Sequence, residues 1–158
     1  MANETTIVIL AAGKGTRLKS ARAKALHEAG GLPLLVHVLG SVKPLRLPVA
    51  VVIGHQAKLI EPLLKPFAAR PVLQAPQLGT GHALRVALDN LPRRFRHVLV
   101  IPGDAPLLRA ETLAALLKTH LSEQAAATVL TARLEQPQGY GRILRAPSGE
   151  VEAIVEQS

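Results

Sequence analysis

The chain has 158 residues, 48% of them hydrophobic and only 2% aromatic, with a formal net charge of +8 and no cysteine. That length suits one domain with a sizeable aliphatic core, and the missing cysteines exclude disulfides, thiolate chemistry and cysteine-ligated zinc. The positive charge comes without a basic–aromatic stacking platform, so an anionic small substrate or a basic surface explains it better than nucleic acid.

Met1-Ala2-Asn3-Glu4 lacks a basic region leading into an apolar signal core. No apolar run approaches the ~20 residues that a membrane span needs. A cytoplasmic protein is expected, with no membrane partner, and association with further copies of the chain stays open. Thr5 to Leu10 is an uncharged run of β-branched and aliphatic residues. It reads as a strand buried on both faces in a parallel sheet. Pro33 to Leu39 reads as a short helix with proline near its start. Val49 to Ile53 is a second buried strand ended by Gly54. His55-Gln56-Ala57 opens a helix that Pro62 would start or kink and Pro66 would end. Pro71 to Gln74 is a short third strand.

Leu84, Leu88 and Leu91 form one helical face, and Pro92 stops that helix. Val98 to Ile101 is a fourth strand, ended by Pro102-Gly103-Asp104. Leu113, Leu116, Leu117 and Leu121 mark the next helix. Ala126 to Ala132 reads as a fifth strand. Arg142 to Arg145 and Val151 to Glu156 can pair as a hairpin across Pro147-Ser148-Gly149. Alternating strands and helices predict an α/β fold, a mostly parallel sheet in three α/β/α layers with right-handed crossovers. Ligands of such sheets sit at the C-terminal ends of the strands. No linker splits the chain, so residues 1–158 read as a single domain.

Four stretches carry residues suited to chemistry. In the first, two alanines and two glycines (Ala11, Ala12, Gly13, Gly15) follow the first strand, and from Gly13 to Lys24 there are five cations (Lys14, Arg17, Lys19, Arg22 and Lys24) and no acid. A loop of so little bulk lets an anion approach backbone N–H groups. A triphosphate site and an ordinary turn with solvated lysines both fit. The dinucleotide fingerprint fails, because Leu18 stands at the third glycine, and the P-loop pattern fails as well. In the second, Gln74 precedes Leu78-Gly79-Thr80-Gly81-His82. Thr80 reads either as a helix cap or as part of a binding loop, and the Gln74 amide can match the imide edge of uracil. In the third, Asp104 ends the fourth strand, as a hard-metal ligand or as a cap for the next helix. The fourth is Gln138-Gly139-Tyr140-Gly141-Arg142-Ile143, with Ile154-Val155-Glu156 after it. The six histidines make no metal-binding pair and read as structural or surface residues.

Leu10-Ala11-Ala12-Gly13-Lys14-Gly15-Thr16-Arg17, followed by Lys24-Ala25-Leu26-His27, resembles the signature of the sugar-1-phosphate nucleotidyltransferases. Within them it is most similar to the N-acetylglucosamine-1-phosphate uridyltransferases, which form the N-terminal half of a bifunctional enzyme. The resemblance runs from about Thr6 to Gln157 with four motifs in order. It implies a Rossmann-like fold of the nucleotide-diphospho-sugar transferase type. It implies that UTP and N-acetylglucosamine 1-phosphate react with Mg²⁺ to give UDP-N-acetylglucosamine and pyrophosphate, a cell wall precursor step. Leu10, Ala11, Ala12, Gly13 and Gly15 would wrap the nucleotide phosphates, with Arg17 and Lys24 neutralising them in catalysis. Gln74, Gly79 and Thr80 would contact the base, Asp104 would hold Mg²⁺, and Gly139 and Glu156 would bind the sugar.

The chain departs from the family in three places. Ala23 stands where proline usually precedes the lysine, which implies a less rigid loop, and Pro76 stands where glutamate is usual. The family's domain also continues well past the I-V-E motif, where it supplies an asparagine metal ligand and more sheet. The chain is therefore expected to be C-terminally truncated, and no hexapeptide repeat of the acetyltransferase β-helix occurs in it. The alternatives are a nucleotide-binding module without turnover and a nucleotidyltransferase for another sugar phosphate.

Overall fold

The computed structural model describes residues 4–13, 15 and 20–156. Contacts divide the chain into two compact units, Met1–Lys118 and Thr119–Ser158.

The first unit is built on a four-stranded sheet in the order β5-β4-β1-β6. Its strands are β1 (Thr5–Leu10), β4 (Val49–Ile53), β5 (Arg70–Leu73) and β6 (His97–Pro102), all parallel. Two short strands, β2 (Glu28–Ala29) and β3 (Leu32–Pro33), form a small antiparallel hairpin that the hydrophobic pattern did not reveal. β1 lies inside the sheet: Ile7 is opposite Val49 on one side and Leu99 on the other. That position explains its composition, since Ile7, Val8 and Ile9 are completely buried. Thr6 is also completely buried, and its hydroxyl donates to the Pro48 carbonyl at 3.0 Å. A buried hydroxyl with such a partner avoids the cost of an unmade hydrogen bond.

Alternation along β1 sends side chains to two faces. Ile7 and Ile9 meet α1 (Leu34–Val42), α2 (Ala57–Leu64) and α4 (Ala110–Ser122) through Leu35, Leu39, Ile60 and Leu113. Val8 and Val52 meet α3 (Thr80–Asn90) through Ala83 and Ala87. Helices on both faces of a parallel sheet give the three layers expected. Pro33 immediately precedes α1, where its fixed φ and missing N–H cost nothing. Pro62 lies inside α2, and Pro66 follows its end in a 3₁₀ turn over Lys65–Phe67. Among the described residues no helix is long and apolar enough to cross a membrane.

The second unit holds the hairpin of β7 (Arg142–Arg145) and β8 (Val151–Val155), paired antiparallel with Ile143 opposite Ile154. The run from Ala126 to Ala132 corrects the sequence expectation: it is not a strand. Val129 and Leu130 remain about half exposed, and the Thr128 hydroxyl lies 3.0 Å from His120 Nδ1. β propensity measures fit to a pleated, half-buried surface, and this segment joins no ladder.

Candidate active site

The C-terminal ends of the strands are tied together by backbone hydrogen bonds that continue past the ladders. Ala11 N–H donates to Val52 O at 2.8 Å, Gly103 N–H to Leu10 O at 2.9 Å, and Gln74 N–H to Ile53 O at 2.8 Å. The small residues after β1 have a packing cause here. A Cβ on Gly103 would lie 3.0 Å from both Ala11 Cβ and Leu10 O. Both contacts are tighter than nearly all side chains make, so a side chain at Gly103 would push the β1 and β6 ends apart by a few tenths of an ångström.

Beyond these ends lies a cavity of about 440 Å³ on the α3 side of the sheet. The loop residues Leu10, Ala11, Ala12, Gly13 and Gly15 line it. So do Lys24, Gln74, Gly79, Thr80 and Asp104. The first unit thus brings ten of the predicted site residues to one cavity. Arg17 lies outside the described residues. Gly139 and Glu156 belong to the second unit, where Glu156 lies 3.4 Å from the place a Cβ on Gly141 would take.

Lys24 and Asp104 form an ion pair at this cavity. The lysine side chain is 48% exposed and the aspartate 23%. α4 begins at Ala110, so Asp104 does not cap it. Among the described residues no group of three or more histidines, cysteines or carboxylates converges. A lone carboxylate of this kind suits a hard cation whose other ligands are phosphate oxygens and water. Gly15 packs against the base of the lysine. Its φ is +70°, and a Cβ there would come within 2.9 Å of Lys24 Cβ.

The residue that replaces the expected proline is tethered. Ala23 is completely buried, and its N–H donates to Gln56 Oε1 at 2.8 Å. The same Gln56 amide donates from Nε2 to Ala21 O at 3.0 Å. One side chain thus grips the strand of backbone that leads into Lys24, and a proline at this position would remove the Ala23 donor. Sequence reading took Gln56 only as a helix opener; its grip on a distant loop leaves no local signature. Gln56 has φ of +56°, which asparagine also tolerates, so Gln56→Asn keeps the backbone and shortens the reach. That variant is expected to lose about 1–2 kcal/mol of stability from two hydrogen bonds. Thermal melts check this; an unchanged melting temperature would mean that the two hydrogen bonds do not hold the segment before Lys24.

Gln74 is 2% exposed although it lines the cavity. Its Nε2 donates to Gly79 O at 3.1 Å and lies 2.9 Å from His82 Nδ1. Gly79, not Thr80, is the N-cap of α3, and no side chain caps the helix. The open N–H groups of its first turn therefore lie beside cavity residues. Gln77, Ala83 and Val100 also line the cavity and had no predicted role. Gln77 stands directly before Leu78-Gly79-Thr80, and its amide is the signal that could have found it. Val100 was hidden because it looked like any strand residue.

A model of the MobA-like NTP transferase domain matches residues 7–154. The chain belongs to this family. The NTP transferase domain is 50% identical over 151 residues to the bifunctional protein GlmU of Lactococcus lactis subsp. cremoris strain SK11. That match covers 95% of this chain and 33% of the relative, so the chain spans about a third of the length of the curated protein. Among solved structures, the domain resembles CTP:phosphocholine cytidylyltransferase from Streptococcus pneumoniae with a TM-score of 0.68. The identity is 18%, covering 97% of this chain and 64% of that one. It also resembles a manganese complex of a Mycobacterium tuberculosis protein, with a TM-score of 0.63 and 21% identity over 75% of this chain and 60% of that one. These neighbours share the fold of this chain.

Proposed function

We propose that the domain is a sugar-1-phosphate nucleotidyltransferase that seats UTP in the cavity and joins its uridylyl group to N-acetylglucosamine 1-phosphate. The observation that carries this reading is the convergence of Lys24 and Asp104 on a cavity walled by the small-residue loop at one place and by Gln74 at another. Charge for phosphates and an amide for a base occupy the same concavity. The 50% identity to the L. lactis protein adds to it.

The sugar phosphate oxygen attacks the α-phosphorus in line. A new P–O bond forms there as the bond to the β,γ-pyrophosphate breaks, and pyrophosphate leaves. No protein nucleophile is required. Lys24 and Arg17 hold the phosphates and offset charge that shifts onto the leaving group. The loop residues Leu10 to Gly13 and Gly15 let the phosphates approach the backbone. Asp104 would hold Mg²⁺, which when bound neutralises phosphate charge. Gln74 and the backbone at Gly79 and Thr80 meet the base. For Gly139 and Glu156 as sugar-binding residues, the resemblance is the support.

The test is pyrophosphate release across pairs of nucleoside triphosphates and sugar phosphates with Mg²⁺. Turnover best with UTP and N-acetylglucosamine 1-phosphate is expected. UTP binding by calorimetry without any turnover would reduce the domain to a binding module. A different preferred pair would change the substrate assignment.

A further inference from the structure

Gln74 is an amide, and an amide can present either its oxygen or its nitrogen to a ligand. In this structure its orientation is decided by two neighbours. Gly79 O can only accept, so the atom facing it at 3.1 Å is the nitrogen. That nitrogen's second neighbour is His82 Nδ1 at 2.9 Å. Nδ1 must then accept, which puts the ring proton on Nε2. Both amide hydrogens are used inside the protein, and Oε1 is the group left to meet a ligand in the cavity.

We infer that His82 is a positioning residue that sets the base preference of the site, by holding the Gln74 amide in the orientation that leaves only an acceptor for the base. This rests on reading the cavity as the nucleotide site. With Oε1 opposite ring position 3, uracil donates its N3–H to it, whereas cytosine presents a lone pair there and its donor, the 4-amino group, would have to shift across to reach the oxygen. Turning the amide over would suit cytosine but would set Oε1 against two acceptors at once, Gly79 O and His82 Nδ1. With His82 replaced by a side chain lacking an acceptor, only Gly79 O resists the turn. Cytosine should then be tolerated better. The role of His82 is hidden in the sequence because His82 touches Gln74 and does not itself line the cavity.

The experiment titrates UTP and CTP separately, with Mg²⁺ and no sugar phosphate, into the full chain and its variants. Wild type is expected to prefer UTP. His82→Phe should lower the UTP-to-CTP affinity ratio on the order of three- to tenfold, the weight of one hydrogen bond. His82→Asn, whose short amide oxygen can stand in for Nδ1, should recover most of the ratio. If the phenylalanine variant does not fold, His82→Ala is read in the same way. Equal weakening of both nucleotides, or an unchanged ratio, would overturn the role of His82 while leaving the uridine site standing. No preference for UTP in the wild type would instead overturn the base reading itself.

Discussion

Asp104→Asn should abolish the Mg²⁺-dependent gain in UTP affinity and lower pyrophosphate release at least a hundredfold, about 2.7 kcal/mol of barrier. The amide keeps the shape of the carboxylate and deletes the charge that a hard cation requires. Stability should change little, because the lost Lys24–Asp104 pair involves a half-exposed lysine, and exposed pairs contribute about 0–1 kcal/mol. The sign without metal is the opposite. Removing a negative group from beside the triphosphate and releasing Lys24 from its partner should strengthen metal-free UTP binding. Calorimetry with Mg²⁺ and with chelator separates the two effects. If the variant keeps the wild-type metal response, Asp104 serves only as a partner for Lys24.

The second large effect is expected at the cations. Lys24→Ala and Arg17→Ala should each weaken UTP binding about ten- to a hundredfold, the loss of one charge-assisted contact of roughly 1.5–3 kcal/mol. Turnover should fall further than affinity, because charge moves onto the departing pyrophosphate in the transition state. The conservative changes should differ. A guanidinium grips two phosphate oxygens at once, so Arg17→Lys should fail to restore full binding. Lys24 acts as a point charge, and Lys24→Arg should restore part of it. Titrations and pyrophosphate release at two salt concentrations provide the check. Alanine variants with near wild-type values, or losses that vanish with modest salt, would make both residues ordinary surface cations.

What sequence reading recovered follows from which interactions are local. The parallel strands were visible as short runs of β-branched and aliphatic residues such as Val49–Ile53 and Val98–Ile101; burial on both faces accounts for β1 and β4, whereas the edge strand β6 alternates, with Leu99 and Ile101 buried and Val100 39% exposed. Pro92, Gly54 and the Pro147–Gly149 turn marked boundaries through backbone chemistry of their own. Ala126 to Ala132 misled because its composition suits a strand, while a strand also requires a neighbour. Gln74, Asp104 and Lys24 could be named from residue type and motif. Their mutual arrangement could not: the ion pair joins Lys24 to Asp104, and the tether joins Ala23 to Gln56. Such contacts between distant segments are decided by topology, which no local window contains.

The place of β1 in the sheet bears on how the unit assembles. The chain's first strand is flanked by β4 and β6, so Thr5–Leu10 has a complete ladder only once His97–Pro102 is available. Non-local pairing of this kind bears its loop-closure entropy before its contacts return any energy, which slows folding. The cavity inherits the same property, since its wall joins Leu10, Gln74 and Asp104. A nucleotide seated there acts as a bridge between segments that the chain itself connects only distantly. By mass action a ligand at a hundredfold its dissociation constant adds about 2.7 kcal/mol to the folded state. The stability of the first unit therefore reports occupancy of its cavity directly, even for a ligand that is never turned over.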